Sequence, residues 1–525
     1  MTNTIAPCRK ETAQGGAAMT PKRRPKTKRR PPYRTNRRRA KNRVTKRRKM
    51  RNTTSSRRLR LLRRRSGGAT RKRRLRMSRA APARAREALP LVPKLELPAV
   101  AHYDPQTSNP GNADKKLTIF YLVHQFYPDS YTGTEKFVLT MARTMIRNGH
   151  RVKVVTHSGG DPDGFPSAHG EVVFREYDHE GVPVLAYRHK QLDPALSFDI
   201  GNADLSAFAD VVLARERPDI VHFGHPMRAM EFMQACQRGG VPYIVTLTDF
   251  WFICPKGIML HANRNLCAGP EQGEACLRHC QIAGVPNRLA SHIPLLQGAR
   301  KIVSPSTFLA SMMKASLPDL PIEALNHGIH RDPALANRKT YRRGDKLTLF
   351  YGGSLNEHKG VHLLLEAMSR IRSNRLRLKI YGSGPAAYTE SLRQAAAKDR
   401  RVELCGPYAE SDIPGMYQQV DVAVVPSVWY ENYPLALHEA LSYHVPAIVS
   451  AAGGMAESVR DGVNGYTFRL GDAGHLAERI RALLANPELL NALKANLSSQ
   501  PIATPEQEAA SYETIYYTHA SRDPK

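Results

Sequence analysis

Apolar and polar positions alternate along this chain in two regular runs. The first opens on the apolar stretch "KLTIFYLVHQF" and passes into "TEKFVLTMARTMIRNGH". There Phe137, Val138, Met141, Met145 and Ile146 recur at helical spacing, and Gly149 stops the pattern. "RVKVVTH", "DIVHFG", "PYIVTLT" and "KIVSP" are short apolar runs of buried-strand type, with a helix at "PMRAMEFMQACQRGG". After Ser306 the alternation restarts with "KLTLFYGGSL" and continues through "GVHLLLEAMSRI", "LRLKIYG", "PAAYTESLRQAAAK", "RVELCG", "DIPGMYQQV" and "DVAVVPS". Apolar strands alternating with helices predict parallel sheets covered on both faces. Two such runs predict an α/β protein of two doubly wound domains facing a cleft, at 117–305 and 306–500. A closing helix, "PEQEAASYETIYYTHA", falls in 501–525.

Charge changes this picture only at one end. The formal net charge is +33, but 29 Lys or Arg and no Asp or Glu lie between Pro21 and Arg76, leaving 50 basic against 46 acidic residues elsewhere. Residues 1–88 are thus an Arg/Lys-rich arm, too repulsive and too poor in apolar residues to pack a core. A disordered tail, or a true start at Met50 or Met77, fits it before a selected binding role does. The functional alternatives are an electrostatic tether to nucleic acid, acidic lipid or an anionic polymer, or a transit peptide without clear amphipathic periodicity. Residues 89–116 are proline-rich and aperiodic, a linker. No run of eighteen apolar residues and no secretory signal is present, and seven cysteines in 525 residues suit a reducing compartment. These point to a cytoplasmic protein, or one peripheral at the inner membrane face.

In doubly wound sheets ligands bind beyond the carboxyl ends of the strands. Here the segments just after the strands are rich in chemistry. "PDSYTGTE" places Gly133 at a helix start, suited to a close anionic group. "GSLNEHKG" places Lys359 near another helix start. "PSVWYENYP" follows "DVAVV", so Glu431 belongs to the cleft, whereas Glu439 lies in the helix "LALHEALSYH" that Pro434 introduces. "AAGGMAESV" puts two glycines before a further helix.

The ordered set "YPDSYTGTEKF", "NGHRVKVVTH", "PDIVHF", "GSLNEHKG", "LKIYGSGP", "PSVWYENYPLALHEAL", "PAIVSAAGGMAESV" and "DGVNGYTF" resembles the retaining GT-B glycosyltransferases of family four, from about Leu117 to the C-terminus. The resemblance implies transfer of a sugar from a nucleotide-diphosphate sugar to a saccharide or lipid-linked acceptor. It also implies that no cofactor or metal is required for catalysis. Glu431 and Glu439 match the family's pair of glutamates eight positions apart, facing the donor sugar and the ribose hydroxyls. Lys359 matches the lysine on the donor diphosphate. Gly133, Gly353, Ser354, Asn432, Tyr433, Pro434 and Leu435 complete the donor side, Asp249 joins Glu431 and Lys359 as catalytic, and Thr248 and His225 lie toward the acceptor. The closing helix resembles the segment that crosses back onto the first domain. Two departures stand out: Ser354 where the family commonly has Arg, with His358 a nearby candidate substitute, and Thr248 where it often has His. A hydroxyl orients a sugar but cannot act as an imidazole base. These departures favour the alternative of a degenerate GT-B binding protein carried by its basic arm. Glu431, Glu439 and Lys359 oppose it. A phosphorylase is disfavoured, since no pyridoxal-binding lysine motif is evident.

Four of the seven cysteines, Cys254, Cys267, Cys276 and Cys280, crowd into 27 positions of an insert at 254–280. Four thiolates in a loop-rich segment suit a tetrahedral structural zinc, with His261 and His279 as substitutes. Unligated buried thiols or disulfide partners are the plainer alternative.

Overall fold

The computed structural model describes residues 95–107, 115–191, 201–500 and 502–520. The basic arm, with every role proposed for it, and parts of the linker lie outside them. The first sheet holds β1 (Thr118–Val123), β2 (Arg151–His157), β3 (Ser167–His169), β4 (Val172–His179) and β5 (Val182–His189). It continues through β6 (Ile220–Phe223), β7 (Tyr243–Thr246), β8 (Lys301–Ser304) and β9 (Ile322–Ala324). The second holds β10 (Leu347–Gly352), β11 (Leu376–Tyr381), β12 (Val402–Gly406), β13 (Val422–Val425), β14 (Ala447–Ser450) and β15 (Gly465–Phe468).

Strand order in the second sheet is β12-β11-β10-β13-β14-β15, with every pairing parallel. The order reverses between β10 and β13, which opens a crevice at their carboxyl ends. The first sheet, β3-β4-β5-β2-β1-β6-β7-β8-β9, reverses likewise between β1 and β6. Its far edge departs from the expected parallel pattern, because β4 runs antiparallel to both β3 and β5. The turn from β4 to β5 is Glu180–Gly181, both with positive φ (51° and 82°), the backbone that two-residue hairpins favour.

Both faces of these sheets are covered, as the apolar strands require. Ile119, Tyr121 and Val123 pack with Phe137, Val138 and Met141 of the helix Gly133–Arg147, while Phe120 and Leu122 join the core around Phe208 and Phe232. In the second sheet Leu347, Leu349 and Tyr351 pack against Val361, Leu364 and Met368 of the helix Val361–Ser369.

Two boundaries differ from the sequence expectation. The first sheet runs past the division expected at 305/306, because the helix Thr307–Ser316 leads into β9, which pairs with β8. β9 has only three residues, too short for a periodicity signal. The linker is also not idle throughout: Tyr103 donates its amide to the Ala324 carbonyl at 2.7 Å, and Ala324 returns one to Ala101 at 2.9 Å. The closing helix Pro505–His519 returns to the first sheet. Its Tyr516 hydroxyl meets Tyr121 (2.9 Å) and His222 Nδ1 (2.7 Å), and its Tyr512 hydroxyl meets Thr246 (2.7 Å). Among the described residues no helix is long and apolar enough to cross a membrane.

Candidate active site

Both switch points carry the candidate residues. On the second sheet Lys359 follows β10 and Glu431 follows β13. Although 72 residues apart, they form one ion pair, with Lys359 Nζ 2.8 and 3.0 Å from the two Glu431 oxygens. Ser427 donates to the same carboxylate at 2.6 Å. Glu431 is only 4% exposed. Burial works to raise its carboxyl pKa; Lys359, then Ser427, outweigh burial and hold it below the ordinary value. The Lys359 ammonium also stands over the Trp429 ring at 4.9 Å. Gly360 is needed here on two grounds: its φ is +71°, and a Cβ would lie 1.9 Å from the Pro426 carbonyl oxygen. The tight turn brings the two loops together.

Glu431 and Asn432 lie in the loop before the helix Leu435–Ser442, with Pro434 as its N-cap and Glu439 inside it. Gly454 packs against this loop, where a Cβ would stand 1.9 Å from the Asn432 carbonyl oxygen, and its amide donates to the Glu431 carbonyl at 2.7 Å. Tyr433 stacks on His438 at 3.5 Å and donates to the His327 carbonyl at 3.1 Å. Gly353 and the exposed Ser354 form the loop after β10, where Tyr351 donates to the Ser354 carbonyl at 2.7 Å. Burial, then Lys359, lowers the pKa of His358 to about 4. It is therefore neutral at pH 7 and supplies no full charge in place of the missing arginine.

Opposite stands the amino end of the helix Gly133–Arg147. A Cβ on Gly133 would approach Leu435 Cδ1 at 3.6 Å, so the two helix starts face each other closely. Glu135 accepts from the Thr132 amide and hydroxyl, at 2.6 and 2.5 Å. From the same helix Lys136 reaches across to Glu439 (3.0 Å) and Glu410 (3.6 Å). Burial opposes its charge, but these carboxylates hold its pKa above the ordinary value. The sequence reading passed over Lys136, as it did Ser427. A lysine in the first turn of an amphipathic helix reads as solvated surface, and only the facing domain reveals its partner.

The first sheet's switch point is richer in histidine. His225 accepts the Met227 amide on Nδ1 (3.2 Å), so Nε2 carries the proton and donates to Asp249 Oδ2 at 3.1 Å. Asp249 Oδ1 accepts from the Trp251 amide at 2.8 Å. Both ring nitrogens of His225 and both oxygens of Asp249 are thus engaged. The Thr248 hydroxyl donates to the Gly224 carbonyl at 2.9 Å, and its own carbonyl accepts from Asn432 Nδ2 at 2.8 Å, a bond that joins the two halves. His124 stands beside His225, ring centres 4.2 Å apart, with its pKa well below the usual value through burial and the neighbouring His225. His157 is lowered to about 3, by burial and then Arg228. Neither histidine was singled out from the sequence.

A hollow of about 450 Å³ adjoins Tyr430, lined also by Leu95, Leu97, Phe308, Ser311 and Glu457. It includes none of the candidate residues. Cys254, Cys267, Cys276 and Cys280 come together around a separate small cavity, as free thiols. Among the described residues no three His, Cys, Asp or Glu side chains form a ready-made ion site.

Comparison with known proteins gives this arrangement its context. The family described as "Glycosyl transferases group 1" matches residues 335–499, and "Glycosyl transferase 4-like domain" matches 132–318. The D-inositol 3-phosphate glycosyltransferase of Geodermatophilus obscurus is 27% identical over 335 residues, spanning 60% of this chain and 71% of that protein. The O-antigen chain mannosyltransferase C of Escherichia coli is 24% identical over 378 residues, 71% of this chain and 91% of its own. The solved structure of Anabaena Alr3699/HepE in complex with UDP-glucose shares the fold, with a TM-score of 0.54 at 17% identity over 76% of this chain and 99% of that one. With both halves matched in order and the GT-B fold in place, the chain belongs to the group 1, family-four type of glycosyltransferases.

Proposed function

We propose that this glycosyltransferase moves a sugar from a nucleotide-diphosphate sugar to a saccharide or lipid-linked acceptor, with retention at the anomeric carbon and without a catalytic metal. The observation that carries this reading is the buried Glu431 carboxylate, paired with Lys359 at 2.8 Å where the strand order reverses. A nucleotide-sugar donor accords with the UDP-glucose held by the structural relative.

The Lys359 ammonium and the amides at the starts of the helices Gly133–Arg147 and Leu435–Ser442 offset the charge of a diphosphate, the task a divalent cation performs elsewhere. As the glycosidic bond lengthens, charge grows on the departing diphosphate and Lys359 shifts its attraction toward it. Glu431 is thereby released to face the positive charge developing on the sugar. Glu439 accepts hydrogen bonds from vicinal ribose hydroxyls. With His225 and Asp249 bonded to each other, the departing phosphate oxygen takes the acceptor proton.

The test is a thermal-shift screen of the full chain against nucleotide-diphosphate sugars, followed by transfer with the stabilising donor. Product NMR is expected to report the donor's anomeric configuration, at a rate unchanged by added Mg²⁺ or Mn²⁺. An inverted product, or turnover only with added metal, overturns the corresponding part.

A further inference from the structure

The segment between β7 and the helix Val285–Gln297 has little regular structure: one isolated bridge, Leu260 with Leu266, and the short helix Glu274–Cys280. Its backbone is unusual. Of the nine non-glycine residues with positive φ among the described residues, five lie here: Met259, Arg264, Glu271, Gln272 and Gln281. Such conformations are unfavourable for residues with side chains and persist only where the surroundings over-determine them. Four thiols from the whole length of this segment converge on one cavity of only about 10 Å³. That is room for about one water molecule, and so for a single ion rather than an organic ligand.

A second observation points to negative charge at this place. The Arg288 guanidinium is 5% exposed and stacks over the Trp251 ring at 4.4 Å. It donates to the carbonyls of Phe252 (3.1 Å) and Trp251. Among the described residues no carboxylate is within ion-pair distance of it, and its Nε has no partner. The helix that carries it packs against Cys276 through Val285 and Leu289. Lys256, whose ammonium donates to the Leu260 carbonyl at 2.6 Å, lines the cavity too. Two cations thus stand beside the four thiols. A buried cation without a counter-charge is costly.

We propose that Cys254, Cys267, Cys276 and Cys280 bind one zinc ion as a structural tetrathiolate centre. Each thiol loses its proton to solvent as its sulfur bonds the metal; one Zn²⁺ and four thiolates leave a net charge of −2, which Arg288 and Lys256 offset. Binding draws in the four sulfurs, which line the cavity without yet forming a closed cage. From the same insert the Arg264 guanidinium pairs with Glu357 in the turn that carries Lys359.

The test uses the full chain purified with reductant and without chelator. Elemental analysis is expected to give about one zinc per chain, falling to near zero in Cys267→Ser. Replacement by Co²⁺ is expected to give the intense near-ultraviolet sulfur-to-metal charge-transfer bands of thiolate ligation. Wild-type metal content and the Co²⁺ spectrum keep the proposal falsifiable should the variant fail to fold. Metal-free protein with four freely titrating thiols, two disulfides in the native chain, or stoichiometric iron instead of zinc each overturn it. None of these readouts depends on the sugar-transfer assignment.

Discussion

The two switch points share a topology and differ in electrostatics. At the second sheet, Lys359 and Glu431 neutralise each other in the loops after β10 and β13, and Glu439 in the helix beyond meets Lys136, which reaches over from the helix after β1. At the first sheet, the corresponding loops carry His124, His157, His225 and Asp249; the first two are held neutral by burial, and His225 with Asp249 are bound to each other. The difference teaches how labour divides in this fold. A diphosphate needs preset charge, whereas a neutral acceptor hydroxyl needs shape and donors that do not trap it electrostatically.

Breaking the charged side should have the largest effect. On the proposed function Lys359→Ala removes the cation that faces the leaving diphosphate, and it is expected to lower kcat by about 10²–10³-fold. It also strands a buried carboxylate, at about 3–5 kcal/mol of stability. Lys359→Met with Glu431→Gln should recover most of that stability and none of the activity. Glu431→Gln alone should lower kcat more than it raises the donor KM. Steady-state kinetics with thermal denaturation separates these outcomes, and wild-type turnover by Glu431→Gln would sink the assignment of that residue.

Glu439 should fail in another way. On the proposed function it holds the ribose in ground and transition states alike, so Glu439→Gln is expected to raise the donor KM about 10–100-fold with kcat little changed, the loss of a charged hydrogen bond of about 1.5–3 kcal/mol. Lys136→Met sharpens the point. If Lys136 supports the ionised form of Glu439, the donor KM rises about tenfold; a fall would make Lys136 a competitor of the nucleotide.

The neutral side is tested by pH. The folded pKa of His157, about 3, lies below its unfolded value near 6.5. Between those values the unfolded chain binds the extra proton, so stability is complete above about pH 6.5 and falls as pH drops toward 3. His222, lowered by burial to about 3, acts in the same direction. Each contributes a slope of about 1.4 kcal/mol per pH unit in that window. Thermal denaturation between pH 7 and 5 checks it, and His157→Asn should flatten the dependence. An unchanged slope in that variant would leave His157 without a role in it.

Two smaller effects complete the contrast. Thr248→Val loses one hydrogen bond to the Gly224 carbonyl, about 1 kcal/mol of stability, with kcat within a few fold of wild type. Acceptor kinetics that collapse in this variant would restore a direct role for the hydroxyl. Removal of residues before Leu89 should leave transfer to a soluble acceptor analogue unchanged while weakening salt-sensitive retention on anionic vesicles. Lost turnover with intact folding would overturn that.

Much of the framework was legible in the sequence because its signals are local. Apolar strands such as Thr118–Val123 and Leu347–Gly352 announce themselves through composition, and the amphipathic helix Gly133–Arg147 through period and its stop at Gly149. That Glu431 would lie in a loop and Glu439 in the helix after Pro434 followed from the same reasoning. The three-residue strands β3 and β9 went unread because so short a run carries no periodicity, and the eight-residue β4 and β5 were passed over with them.

What only the tertiary structure decided is pairing across long separations. No spacing rule joins Lys359 to Glu431, Lys136 to Glu439 over 303 positions, or Glu508 to His327. Nor does the sequence say that Asp249 and His225 engage each other, that Thr248 turns its hydroxyl to a backbone carbonyl, or that four thiols gather around one cavity. Local pattern specifies which face of an element is buried, since period and polarity are properties of neighbouring residues. Which charged groups meet there depends on how the sheets bring distant loops together. That geometry decides whether a carboxylate stays charged, a histidine stays neutral, or a cysteine has companions.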